Sequence, residues 1–170
     1  MAGRISSYLR KTLWINRMNK NWKKRYLNLA AQVGTWSKDP KTQVGAVIVG
    51  GLNQVISQGY NGFPRRVFDG KERYDNRETK LRYVVHAEAN AIYNAALNGT
   101  KLAGSTLFVH GLPVCSDCAK AIIQVGIKHI VIDSDYEEDD RWTKSFEITK
   151  SMFEEAGVSH EFISTKRKSK

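Results

Sequence analysis

The sequence predicts one α/β domain: a three-layer αβα sandwich around a central mixed five-stranded sheet. Three observations carry that expectation. A chain of 170 residues is long enough for one hydrophobic core and too short for two comfortable ones. Strand and helix patterns alternate in the order αββαβαβαβ, as in a sheet covered by helices. The first two strand patterns flank a short glycine-containing turn and form a hairpin, which makes the sheet mixed.

Taken in order, Trp22, Tyr26, Leu29, Ala30 and Val33 recur at helical spacing, and Gly34 follows as a stop. "WSKDPKTQ" is a polar loop. "VGAVIV" (44–49), the turn "GGLNQ" and "VISQGY" (55–60) make the hairpin. Residues 61–83 are charged and weakly periodic, and read as a long loop of the kind that is usually functional or disordered. A helix over 86–98 ends at Asn98-Gly99. "STLFVHG" is a strand, 116–125 a helix stopped by Gly126, and "KHIVIDS" a strand. Over 141–156, Phe146, Ile148, Met152, Phe153 and Ala156 share one side of a helix that Gly157 ends, and "VSHEFI" closes the sheet.

The net charge of +10 sits at the ends. Residues 1–25 hold eight Lys or Arg and no acid, residues 164–170 hold four and no acid, and residues 26–163 hold 15 basic against 17 acidic. The chain therefore divides into a basic extension over 1–17, a domain over 18–163 and a basic tail over 164–170. Basic ends bind polyanions or are simply solvated, and the near-neutral body makes a nucleic-acid partner the weaker expectation. No apolar run reaches the roughly 18 residues of a membrane span, and the basic start lacks the apolar stretch of a secretory signal. Two cysteines cannot make a disulfide framework. Their spacing suits a metal or redox site in a reducing compartment, so the chain is expected in the cytoplasm, a host's if it is viral.

Those cysteines, Cys115 and Cys118, lie in "LPVCSDCAKAII" at the start of a helix. Three apart, they face the same way across its first turn, and the helix dipole favours their thiolates. Alone, the pair is equally a thioredoxin-like dithiol. His86 begins the helix 29 residues earlier in "VVHAEANAI", and an imidazole there completes a His-Cys-Cys set for one zinc. Three protein ligands leave a fourth position for water, the catalytic rather than the structural pattern. Glu88, two residues past His86, is then placed to move protons without occupying the metal.

The combination of His-Ala-Glu at one helix start with Pro-x-Cys-x-x-Cys at the next resembles the zinc-dependent cytidine deaminase superfamily. The family proline normally abuts the first cysteine, whereas here Val114 separates Pro113 from Cys115. Within that superfamily the chain is most similar to deoxycytidylate deaminases from about Trp22 to Phe162, through "SKDPKTQVGAVIV", "GYNGFP", "RETKLRYVVHAEANAI" and "CSDCAKAIIQVGIKHIVI". The resemblance implies the cytidine deaminase-like fold and hydrolysis of dCMP to dUMP and ammonia, feeding thymidylate synthesis. It also implies a homo-hexamer activated by dCTP and inhibited by dTTP.

Site roles follow from the same resemblance. Asn61 matches the asparagine that bonds the substrate sugar or base, and is otherwise a turn former. Tyr136 matches a substrate-contacting tyrosine, and is otherwise a loop residue. Lys38 and Thr42 fall where the 5′-phosphate would be met. Asn61, Gly62, Arg65, Arg66, Arg73 and Arg77 fall in the region of a regulatory nucleotide, whose triphosphate could carry Mg2+. Many relatives have glycine where this chain has Arg66. The lysine, threonine and arginines read equally as solvated loop residues. The competing functions are deamination of a base in nucleic acid, of the tRNA adenosine type, activity on dCTP as well, and a zinc-stabilised binding module without turnover.

Overall fold

The computed structural model describes residues 18–136 and 140–166, so the extension over 1–17 lies outside the described residues. The elements are α1 (Lys20–Gly34), β1 (Gly45–Val49), β2 (Val55–Tyr60), α2 (Lys71–Asp75), α3 (Arg77–Tyr83), α4 (Ala87–Leu97), β3 (Thr106–His110), α5 (Ser116–Gln124), β4 (His129–Asp133), α6 (Asp140–Ala156) and β5 (Ser159–Ile163). The strands form one five-stranded sheet in the order β2-β1-β3-β4-β5. β1 is antiparallel to both β2 and β3, while β3, β4 and β5 run parallel. This is the mixed five-stranded sheet expected from the sequence, with every strand within a residue or so of its expected place. Among the described residues no helix is long and apolar enough to cross a membrane.

The period of two along a strand decides which layer each side chain joins. Val47 and Val49 of β1, with Phe108 and Val131, face α1 and pack on Tyr26, Leu27, Ala30 and Val33. Ala46 and Ile48, with Leu107, Val109, Ile130 and Ile132, face the opposite layer, formed by α4, α5 and α6. The buried central strands therefore read as unbroken apolar runs. Asn19 caps α1 by accepting from the Trp22 N–H at 3.0 Å. Asn53 takes the left-handed conformation, φ 63°, that closes the β1–β2 hairpin and that asparagine tolerates.

Residues 61–83 are not a long loop. They contain α2 and α3, joined at Asn76, whose side chain caps α3 by accepting from the Thr79 N–H at 2.9 Å. Two helices of five and seven residues are too short to show a period, and only Tyr74 in them is buried. Aromatic stacking organises the segment: Phe63 lies 4.5 Å from Tyr74 and 5.6 Å from Tyr83. The Arg73 guanidinium covers the Tyr83 ring at 4.6 Å.

Two close approaches fix the helices on the sheet. A Cβ on Gly45 would stand 1.9 Å from the Ala30 carbonyl oxygen of α1. A Cβ on Gly59 would stand 2.3 Å from the Ala91 nitrogen and 2.5 Å from the Ala87 oxygen of α4. α4 also covers the open edge of β2, where Asn90 and Asn94 donate to the Tyr60 and Gln58 carbonyls at 2.8 and 2.6 Å. At the far edge, Ser164, Thr165 and Lys166 are gathered by Asp135, which accepts from the Ser164 hydroxyl and from the Thr165 and Lys166 N–H groups. Asp133 accepts from Thr165 Oγ1 at 2.9 Å and contacts His110 Nδ1 at 2.7 Å.

Gly59→Ala should push α4 off β2 and lower stability by about 2–3 kcal/mol, the scale of overpacking against backbone. Urea unfolding should show the loss, and a wild-type midpoint would contradict the contact. Asp133 gives a pH test. Burial raises its pKa, but hydrogen bonds from His110, Asp135 N–H and Thr165 outweigh that and hold the carboxyl below its ordinary range. Its stabilisation is then present above the ordinary carboxyl pKa of about 4 and is lost as pH falls through the lowered folded value. The stability difference between wild type and Asp133→Asn should be constant, at about 1–3 kcal/mol, above about pH 5 and should shrink below about pH 4; a gap that widens in acid would reverse the sign.

Candidate active site

α4 and α5 both begin at the same end of the sheet, and their N-cap residues are His86 and Cys115. Both have extended backbones, φ −70° and −79°, which turns each side chain back over its helix start. Val85, the residue before His86, makes a two-bond bridge with Gly62, N···O 2.8 and 3.1 Å, which sets Asn61-Gly62 beside the start of α4. The Cys118 N–H, in the first turn of α5, points at Cys115 Sγ at 3.5 Å.

His86 Nδ1 lies 3.3 Å from Cys115 Sγ and 3.5 Å from Cys118 Sγ, and the three ligand atoms all fall within 4.8 Å of one another. A tetrahedral zinc with Zn–S of about 2.3 Å and Zn–N of about 2.0 Å requires N···S separations of about 3.5 Å. The donor set and its spacing therefore fit zinc. Among the described residues this is the group of histidine, cysteine and carboxylate side chains that could hold a metal.

The protons in this cluster are shared unequally. A hydrogen bond with Cys115 raises the His86 pKa to about 9 against the effect of burial. Cys115 is lowered to about 4, chiefly by the hydrogen bond from Cys118 and further by His86. Cys118 is raised by that bond and by burial. Burial raises Glu88, which is 4% exposed in the first turn of α4. A carboxyl held above its usual range beside a polar cluster suits proton transfer near neutrality.

His86, Glu88 and Cys115 line an open cleft whose empty space, its mouth included, is about 550 Å³. Its walls include Asn61, Thr42, Asp39 and Lys80. Asn61 is buried, accepts from the Val44 N–H at 2.8 Å and donates to the Thr42 carbonyl at 2.9 Å, so it also ties the 37–44 loop to the end of β2. Lys38 lies elsewhere: its ammonium pairs with Asp69 at 2.8 Å, 66% exposed. Tyr136 packs near Phe162, ring centroids 6.4 Å apart, and is not among the residues lining the cleft. Asp39 and Lys80 are site residues that the sequence reading missed. Lys80 sits in a segment without periodicity, and Asp39 in a polar loop whose sequence carries no sign of burial.

Of the residues assigned to a regulatory nucleotide, Asn61 lines the cleft itself. Gly62 and Arg65 line a second depression with Tyr60, Phe63, Asn90 and Asn94, and Arg65 donates to Asn94. Arg73 donates to the Phe68 carbonyl at 2.9 Å and covers aromatic rings, while Arg77 opens α3. Arg66 has φ +65°, a conformation glycine adopts without strain, which supplies a backbone reason for glycine in relatives.

Comparison with known proteins agrees with this geometry. The profile of the cytidine and deoxycytidylate deaminase zinc-binding region matches residues 20–134. The chain belongs to that family. It is 38% identical to human deoxycytidylate deaminase over 144 residues, 81% of this chain and 77% of the human protein. It is 41% identical over 142 residues to an uncharacterised deaminase of the luxG 3′ region in Aliivibrio fischeri, 83% of this chain and 92% of that protein. Among solved structures, dCMP deaminase from the cyanophage S-TIM5 in complex with dCMP and dUMP superposes with a TM-score of 0.69 at 26% identity, covering 86% of this chain and all of that one.

Two substitutions separate ligand from proton carrier. Elemental analysis should find one zinc per chain in the wild type and none in Cys118→Ser. Glu88→Gln should keep that zinc and the fold while slowing deamination by about 10²–10⁴-fold, the usual share of general acid–base catalysis. Retained turnover in Glu88→Gln would remove the proton role, and lost zinc would make Glu88 a ligand.

Proposed function

We propose that this chain hydrolyses dCMP to dUMP and ammonia, supplying dUMP for thymidylate synthesis. The observation that carries the reading is the buried Glu88 carboxyl beside a three-ligand His-Cys-Cys set, with Glu88, His86 and Cys115 lining one cleft. The similarity to a dCMP deaminase solved with dCMP and dUMP selects the substrate.

Zinc, when bound, supplies a Lewis acid that lowers the pKa of water at the open position. The chain's own residues manage the protons. Glu88 takes one proton from the attacking water and gives it to ring N3, where it remains in the product. The water oxygen bonds to C4. The second water proton goes to the exocyclic nitrogen, the C4–N bond breaks and ammonia leaves. Burial of Glu88 keeps bulk water from short-circuiting these transfers and raises its proton affinity toward that of a relay. Asn61, with one amide N–H unspent on Thr42, is assigned to the deoxyribose or base, Tyr136 to the substrate and Thr42 to the phosphate end. Lys38 keeps its assignment to the phosphate only if it leaves Asp69.

Regulation belongs to the same reading. dCTP raises and dTTP lowers activity in a homo-hexamer, with the triphosphate and its Mg2+ near Asn61, Gly62, Arg65, Arg66, Arg73 and Arg77. The depression lined by Gly62 and Arg65 supports this, because the Gly62–Val85 bridge is one residue from His86. A nucleotide there alters turnover only by favouring one arrangement of that bridge over another.

Ultraviolet assays over dCMP, dCTP, CMP, deoxycytidine, dAMP and a tRNA substrate decide the matter. dCMP should give the highest kcat/KM, with opposite effects of dCTP and dTTP on it. Preference for tRNA or for dCTP would replace the substrate assignment. Kinetics indifferent to both nucleotides would leave an unregulated deaminase.

A further inference from the structure

We infer that Lys80, held in place by the buried carboxylate of Asp39, is the residue that reads the 5′-phosphate of the substrate, and that this pair makes the cleft select a nucleotide over a nucleoside. The inference rests on the dCMP reading above and extends it to specificity.

A phosphate dianion needs a cation inside the cleft, not merely near it. Among the described residues that line the cleft, Lys80 is the one Lys or Arg. Its side chain is 13% exposed and its ammonium lies 2.7 Å from Asp39 Oδ2, a side chain 2% exposed. Lysines are rarely so buried unless paired. Asp39 is otherwise saturated, since its Oδ1 accepts from the Lys41 and Thr42 N–H groups at 2.9 and 3.1 Å. It therefore fixes two things at once: the position of Thr42, which lines the cleft from the 37–44 loop, and the direction of the Lys80 ammonium, which enters from α3. An ammonium has three protons. Asp39 takes one, leaving two for an anion in the cleft that Thr42 and Lys80 both line. Lys38, the lysine that the sequence suggested, spends its charge on Asp69 outside the cleft.

Neutralisation by Asp39 is what makes the pair discriminating. Without a phosphate, Lys80 is already satisfied, so no buried charge is left waiting and a nucleoside gains nothing from it. With one, the ammonium adds charge-assisted hydrogen bonds while losing none that it already has. Asp39 is accordingly a positioning residue, and Lys80 the one that touches substrate.

The test compares kcat/KM on dCMP and deoxycytidine, and calorimetric binding of dUMP and deoxyuridine, in zinc-loaded full-length protein. Lys80→Met alone strands a buried carboxylate and risks misfolding, so the decisive variant is Asp39→Asn with Lys80→Met, which removes both charges at nearly constant volume. The double variant should keep its zinc. Its preference for dCMP over deoxycytidine should fall about 10- to 100-fold, the worth of hydrogen bonds to a charged group, mostly through KM, and dUMP binding should weaken by a similar factor. Lys80→Arg should restore most of the dUMP affinity in the Asp39 background. A double variant that folds, holds zinc and keeps the full nucleotide preference overturns the proposal. So does a collapse of preference in Lys38→Met with none in the double variant. Wild-type protein that deaminates neither substrate would defeat the deaminase reading, and the binding arm still judges the pair: equal dUMP affinity in wild type and double variant, or none in either, overturns it.

Discussion

The distance between the first turn of α4 and the sheet is the constraint on which the site depends. His86, Glu88 and the bridge to Gly62 all ride on that turn. The ligand atoms meet Cys115 and Cys118 only if α4 lies with its backbone almost against β2, and Gly59 provides that clearance. Ser57 adds a hydrogen bond from its hydroxyl to the Ala91 carbonyl at 2.6 Å, and Asn90 and Asn94 hook the outer side of the strand. The residues that set the metal geometry thus include a glycine and two asparagines that never approach the metal. A catalytic constellation is held to sub-ångström tolerance by such supporting contacts.

What was legible in the sequence follows from what is periodic. The strands and α1, α4, α5 and α6 are long enough, or apolar enough, to declare their type. The His-x-Glu and Cys-x-x-Cys spacings are local, so they survive as motifs without knowledge of the fold. The segment over 61–83 was not legible as structure. Its order comes from rings far apart in sequence, Phe63 with Tyr74 and Tyr83, and no short window contains that information. The Asn76-x-x-Thr79 cap is the one local sign of α3.

Lys80 and Lys38 make the same point for the site. Both are lysines in polar stretches, and only Lys38 lies in the motif "SKDP". The ion pair that separates them joins positions 39 and 80, a contact that only the tertiary structure can reveal. Asp39, one residue from Lys38, is buried, whereas Lys38 is exposed. Adjacent residues in an irregular loop face opposite environments with no period to say which. The charge count was more transferable: a near-neutral body with basic ends is compatible with a cleft whose interior cation is balanced by its own carboxylate.

The sheet order gives the ligand set one more property. Because β1 is antiparallel to both neighbours, β2 and β3 run the same way, and α4 crosses over β1 to connect them. α5 then connects β3 to β4. His86 heads the first crossover, and Cys115 and Cys118 head the second. A metal held by all three is therefore a staple between two consecutive crossover units, closing a loop of about 30 residues in the middle of the chain. Metal affinity and conformational stability become linked quantities: whatever loosens the packing of either crossover weakens the metal, and withdrawal of the metal loosens both crossovers together.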